Sequence, residues 1–341
     1  MYVFLFLCLL AAIIFWQYGP LRQPILGDPG YFIYLGQEIA RGKAPYLSVF
    51  DNKTPLAGMM GALAAIIGRT AGVHDVVAMR FASLMVGTLT VGFTYLVVKA
   101  LFEHRVLGLI AALVMASFSF FAERAAVGGE PKIIMVLMGL ITLYSIQDRI
   151  WWLAGLAGSL AFLAWQPGAI YAVSALAASL LIGEKGRRPH FTQAFLGLVI
   201  PLALLVLYLG YHGALDDAIQ QCVIFPLSMV SRKAPASLTA GLGHIAKVLY
   251  RVYGSEMWFI QIGAAGLVVR LACWGWTFAR DASSVKARQE AFFTLSWSAF
   301  VCLSLVQFGH GPDFIPFLPY IATGVACIVC MAIAFVSRLS A

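Results

Sequence analysis

Charge is what this sequence lacks. Asp, Glu, Lys and Arg together make up 11% of its 341 residues, while 61% are hydrophobic. Soluble globular chains carry roughly a quarter charged residues, so a molecule with water on every face is excluded. The short signatures of common soluble chemistries are missing too: there is no HExxH, no nucleophile elbow, no Walker loop and no dinucleotide fingerprint. Cysteine is sparse and poorly placed for a disulfide framework. Of Cys8, Cys222, Cys273, Cys302, Cys327 and Cys330, only Cys222 falls in a polar loop. The others lie in apolar runs, where a thiol packs as a small hydrophobe. Cys327 and Cys330 form a CxxC on such a run, and packing is the simpler reading there than redox or metal chemistry. No internal repeat and no low-complexity tract is detectable.

What the chain does have is apolar runs broken by short charged loops, the pattern of an all-α polytopic membrane protein. The run Met1–Gly19 lacks a basic leader region and reads as a retained first helix. Further spans are expected at about 76–98, 106–121, 132–147, 151–165, 168–183, 192–211, 253–274, 290–308 and 316–337, about ten in all. The stretch Pro55–Gly68 is short for a span and reads as an interfacial or re-entrant helix. The whole chain, 1–341, is expected to form one transmembrane domain with two long outer loops, 20–75 and 212–252, and no soluble C-terminal domain.

Charge orients this map. If Pro55–Gly68 does not cross, the short loops at 99–105, 148–149, 183–190 and 280–288, together with Arg338, hold ten of the 23 lysines and arginines on one side. The short loops opposite hold one, Arg124. The positive-inside rule then places both termini in the cytoplasm of a plasma or inner membrane and the two long loops outside. The net charge of +8 follows from cytoplasmic loops meeting anionic lipid, with no nucleic acid required. Ten of the fifteen acids fall on the outer face, among them Asp28, Glu130 and Asp313. A hairpin as tight as Trp165-Gln166-Pro167-Gly168 between two short spans suggests a crevice near that face.

The first outer loop concentrates the polar chemistry. Asp28-Pro29-Gly30 followed by Phe32, Leu35 and Ile39 reads as a capped amphipathic helix lying at the membrane, ended by Gly42. A capping carboxylate at the mouth of a cleft can also act as a base, so the two roles of Asp28 are compatible. Asp51-Asn52-Lys53-Thr54-Pro55 reads as a turn, and Lys53 is a cation placed to hold a lipid phosphate. Glu130 opens a span after Gly128-Gly129, where capping and function are both open readings. Glu123, Arg124, Glu130 and Lys132 crowd one membrane boundary. His310, beside Asp313 and between glycines, is a candidate ligand contact. The bases Arg232, Lys233, His244, Lys247 and Arg251 of the second long loop form a headgroup patch or a solvated loop. Paired outward carboxylates could share a divalent ion, although no metal cage can be read.

These residues resemble the GT-C membrane glycosyltransferases that use polyprenyl-phosphate sugars, and most of all the protein mannosyltransferase and aminoarabinose transferase superfamily. The matching stretches are Asp28-Pro29-Gly30 with Tyr31 or Tyr34, Gly36-x-x-Ile39-Ala40-x-Gly42-x-x-Pro45-Tyr46, and Phe50-Asp51-Asn52-Lys53-Thr54-Pro55. Arg80-Phe81-Ala82-Ser83, Glu130-Pro131, Gln166-Pro167 and His310 before Pro319 extend the match. The pattern departs from the family at Pro29, where relatives carry a second acid, and at Thr54, where they carry proline.

The resemblance implies a GT-C-like fold with interfacial helices in the first outer loop. It implies an inverting transfer of a sugar from a polyprenyl-phosphate donor to an acceptor hydroxyl at the extracytoplasmic face. Asp28 would be the base and Glu130 the second acid, with Lys53, Arg124, His310 and Tyr46 contacting the donor and a divalent metal shared by Asp28 and Glu130. Two alternatives are a non-catalytic GT-C-like subunit of a larger membrane complex and a transporter. Against the transporter, no charges sit at mid-membrane on paired broken helices.

Overall fold

A computed structural model describes residues 1–25, 27–182, 187–233, 238–281, 284–306 and 308–339. Among them there is no strand. The helices are α1 (Tyr2–Trp16), α2 (Gly27–Ala40), α3 (Leu56–Thr70), α4 (Asp75–Phe102), α5 (Arg105–Ser117), α6 (Ser119–Val127), α7 (Pro131–Gln147), α8 (Trp151–Ala164), α9 (Ala169–Leu181), α10 (Arg187–Tyr211), α11 (Leu215–Ile219), α12 (Phe225–Lys233), α13 (Leu238–Tyr253), α14 (Met257–Arg280), α15 (Val285–Val306) and α16 (Leu318–Leu339). The stretch 183–186 with Lys185, and the side chains of Arg232, Lys233 and Arg338, lie outside the described residues.

The expected count of ten spans is not reproduced by helix length. Four described stretches are long and apolar enough to cross a membrane, within 75–102, 188–211, 238–280 and 311–336, and the bent pair α5–α6 makes a fifth. Several expected spans fall on shorter helices. At 1.5 Å per residue, a 15-residue helix such as α1 reaches about 22 Å, short of a hydrocarbon core of about 30 Å. The expected span 106–121 is broken. Phe118 adopts an extended conformation between α5 and α6, and the two helices meet at 67°. Glu256 stabilises the break from across the bundle, its Oε1 accepting the Ser119 N–H at 2.8 Å.

Helix α7 is the axis of the core. Its residues are buried almost all round, from Pro131 to Ile146, and it packs on α4 and α8. A helix apolar on every side belongs in the middle of a bundle. Helix α2 buries Phe32 and Leu35 and lies across α3, where Gly36 crosses Gly61 so closely that a Cβ on Gly36 would come within 3.1 Å of the Gly61 carbonyl carbon. Gly42, at φ +90°, ends α2 as the sequence suggests.

Arg80 ties this end of the bundle together. It is only 4% exposed, and its guanidinium donates to three carbonyls: Pro20 at 2.7 Å, Gln23 at 2.9 Å and Val127 at 3.0 Å. It thereby fixes the approach to α2 against the end of α6. Gly129 completes the junction. At φ +80° it lies so close to α2 that a Cβ would come within 2.8 Å of the Phe32 Cβ.

Candidate active site

A cleft of about 580 Å³ lies at the start of α2 and of α7. Its walls come from the start of α2, the 52–53 turn, the start of α7, the 165–167 hairpin tip, α15, and the 308–313 segment. Asp28, Lys53, Lys132, Gln166, His310 and Asp313 supply its polar groups. Ile170, Ala299, Phe300 and Leu303 supply apolar wall.

Asp28 lies within the first turn of α2 rather than ahead of it, and it is exposed. Among the described residues its carboxylate has no hydrogen-bond partner, so it is not spent on capping. Lys53 is half-buried, with its ammonium 4.6 Å from the centre of the Phe32 ring and no ion pair among the described residues. Its main chain is held firmly. The Asp51 Oδ1 accepts the Lys53 N–H at 2.9 Å, the Tyr46 hydroxyl donates to the Lys53 carbonyl at 2.9 Å, and the Thr54 hydroxyl donates to the Phe162 carbonyl at 2.8 Å.

Two glutamine amides sew this turn to the rest of the site. The Gln166 Nε2 donates to the carbonyls of Asn52 and Cys222, at 2.8 and 2.9 Å. The Gln221 amide accepts the Asp51 N–H and donates to the Tyr46 carbonyl, both at 2.9 Å. Gln221 and Cys222 sit in a single turn of π-helix, Gln220–Ile224, a rare conformation that recurs at functional sites.

Lys132 is the buried cation of the cleft. Its side chain is 9% exposed, its ammonium lies 2.8 Å from the Asp313 Oδ1, and the Trp165 ring lies beneath it at 5.0 Å. The carboxylates of Glu130, Asp313 and Asp28 all act on that ammonium. Asp313 is held on its other oxygen by the N–H groups of Gly309 and His310, at 2.8 and 2.9 Å. Lys132 entered the sequence reading only as one charge in a crowded boundary, and Asp313 only as a neighbour of His310. The available signal was a lysine just inside an otherwise apolar helix, which needs a partner.

The other predicted residues are placed differently. Glu130 caps α7, its Oε1 facing the Lys132 N–H at 3.4 Å, and it lines a separate apolar pocket of about 30 Å³ beside Phe32 and Ile134. The Arg124 guanidinium lies over the Phe120 ring at 5.0 Å and is not part of the cleft wall. Tyr46 is buried at φ +73°, with its hydroxyl committed to Lys53. His310 lines the cleft.

Asp51 carries a large titration shift beside the cleft. Burial raises its carboxyl to about 6, against the lowering effects of the Lys53 N–H and ammonium. The folded chain then binds this proton more tightly than the unfolded chain, so its stabilising contribution is full below about pH 4 and is lost as pH rises through about 6. Asp51→Asn keeps the acceptor for the Lys53 N–H and removes the buried charge. Its thermal unfolding in detergent should match the parent near pH 4 and exceed it at pH 7, by on the order of 1–3 kcal/mol. Equal gains at both pH values would contradict this.

A family model described as DolP-mannose mannosyltransferase matches residues 42–206. That stretch contains Lys53, Glu130, Lys132 and Gln166 and leaves Asp28, His310 and Asp313 outside. Among curated proteins, no sequence matches the chain. Solved structures do. The oligosaccharyltransferase of Archaeoglobus fulgidus in complex with Zn and sulfate matches at 16% identity and TM-score 0.61, over 97% of this chain and 49% of that one. The oligosaccharyltransferase AglB of the same organism, with an inhibitory peptide and a dolichol-phosphate, matches at 14% identity and TM-score 0.59, over 97% and 50%. ArnT from Cupriavidus metallidurans in the apo state matches at 15% identity and TM-score 0.61, over 94% and 59%. The chain therefore has the GT-C fold of an integral membrane protein, and it spans about half the length of the solved chains it resembles.

Proposed function

We propose that this chain is a polyprenyl-phosphate-dependent glycosyltransferase acting at the cleft beside Asp28. A sugar on a lipid phosphate already carries a good leaving group, so no general acid is required. The chemistry needs one carboxylate to take the proton from the acceptor hydroxyl and cations to steady the departing phosphate. Asp28 is assigned the first role, and Lys53 the second, with Lys132 and His310 on the same cleft wall. Attack opposite the phosphate inverts the anomeric centre. The acceptor approaches from the extracytoplasmic side while the lipid tail stays in the bilayer along the apolar wall of α15.

The observation that carries this reading is the pairing, in one cleft, of a carboxylate without a hydrogen-bond partner and a lysine without an ion pair among the described residues. The family match to 42–206 and the GT-C fold support the donor class. The test is direct. Purified protein is given a polyprenyl-phosphate mannose carrying a labelled sugar, with hydroxyl acceptors, and loss of label from the lipid is followed. Transfer supports the reading; an inert protein across donors and acceptors favours the non-catalytic subunit.

Lys53→Ala separates binding from chemistry. It removes a charge-assisted phosphate contact, for which a loss of about 1.5–3 kcal/mol is typical. A polyprenyl phosphate without sugar should then bind roughly tenfold or more weakly, read by quenching of tryptophan fluorescence, with Trp165 in the cleft wall as the reporter. Unchanged binding would remove Lys53 from the donor site.

A further inference from the structure

The expected pair of acids for a shared divalent ion, Asp28 and Glu130, does not present a metal's donor set. Asp28 faces the large cleft, whereas Glu130 caps α7 and lines the small apolar pocket. Asp313 has one oxygen on the Lys132 ammonium and the other on two backbone N–H groups. Among the described residues, no group of three or more His, Cys, Asp or Glu side chains stands close enough to hold an ion. The Lys132 ammonium instead sits against Asp313 on the cleft wall that Asp28 also lines, buried and fixed against Trp165. A dication brought to the same point would meet a positive charge that cannot turn away into water, because the side chain is 9% exposed.

We propose that Lys132 is the resident cation of this site and takes the place of a divalent ion beside Asp28 and Asp313. The physical equivalence is specific. An ammonium offers three donors and one charge, enough to hold Asp313 and one further oxygen ligand at the cleft. It lies in the first turn of α7, where the helix N-terminus adds partial positive charge without any ion. The charge balance is therefore built into the chain and does not depend on metal supply. One terminal phosphate oxygen of a bound lipid, or of any other phosphate ligand, has a fixed partner here.

Cation binding at Lys132 is separable from sugar transfer, so metal binding rather than turnover is measured. Full-length protein in detergent is titrated with Mn²⁺ and followed by electron paramagnetic resonance, with Asp28→Asn and Asp313→Asn run in parallel. Binding insensitive to both variants is outside this site and counts as none. The parent should show no Mn²⁺ that either variant displaces. Lys132→Met, which keeps the length and removes the charge, should gain one Mn²⁺ per chain, about tenfold or more tighter than any binding by the parent, and lose it again when combined with Asp313→Asn. The proposal is overturned if the parent binds an ion that Asp28→Asn or Asp313→Asn displaces, or if folded Lys132→Met gains none. Should Lys132→Met fail to fold, the parent titration alone decides.

Discussion

Asp28→Asn is expected to leave a folded protein that no longer transfers sugar. The structural cost is small. The Asp28 carboxylate has no hydrogen-bond partner among the described residues, and asparagine is as good as aspartate at a helix start. What is lost is one favourable charge in the first turn of α2, typically 0.3–1 kcal/mol. The catalytic cost is large, because an amide cannot take the proton of an acceptor hydroxyl. General-base catalysis contributes about a hundredfold to ten-thousandfold, so transfer should fall by at least about a hundredfold while unfolding temperature and yield stay near the parent. Lipid-phosphate binding should also persist, in contrast to Lys53→Ala. A variant that transfers at the parental rate would remove Asp28 from the chemistry.

Arg80→Ala is expected to have the largest effect on folding. Three carbonyls from two separate stretches converge on one buried guanidinium. Hydrogen bonds from a charged donor contribute about 1.5–3 kcal/mol each, and the abandoned carbonyls would remain poorly solvated. A loss of several kcal/mol is expected even after allowing for overlap, visible as a lower unfolding temperature and poor recovery from the membrane. Arg80→Lys should rescue only part of it, since a single nitrogen cannot reproduce a planar fork of five donors. Full rescue by lysine would mean that charge, not geometry, holds the junction.

The first loop was legible because polar residues stand out in so apolar a chain. Asp28, Lys53 and His310 could be picked by residue type, and all three line the cleft. Their supports could not be picked that way. Arg80 stood out only as part of the Arg80-Phe81-Ala82-Ser83 match, yet its partners are 47 to 60 positions away. Gln221 bonds Tyr46 and Asp51 across 170 or more positions, a link that no local pattern reveals. Tyr46 was expected as a donor contact only because the resemblance implied it. In the structure Tyr46 has a left-handed backbone and its hydroxyl donates to the Lys53 carbonyl. The break in the expected span 106–121 stayed hidden for a related reason. Hydropathy reports how apolar a run is, but not the 67° break at Phe118.

The most direct measurement is an experimental structure of the full chain with a polyprenyl phosphate. The account predicts density for the phosphate in the cleft of about 580 Å³, between Lys53 and Lys132, with Asp28 facing the position the sugar would take. A phosphate bound elsewhere, such as the apolar pocket beside Arg270 and Cys327, with the Asp28 cleft left to solvent, would contradict it.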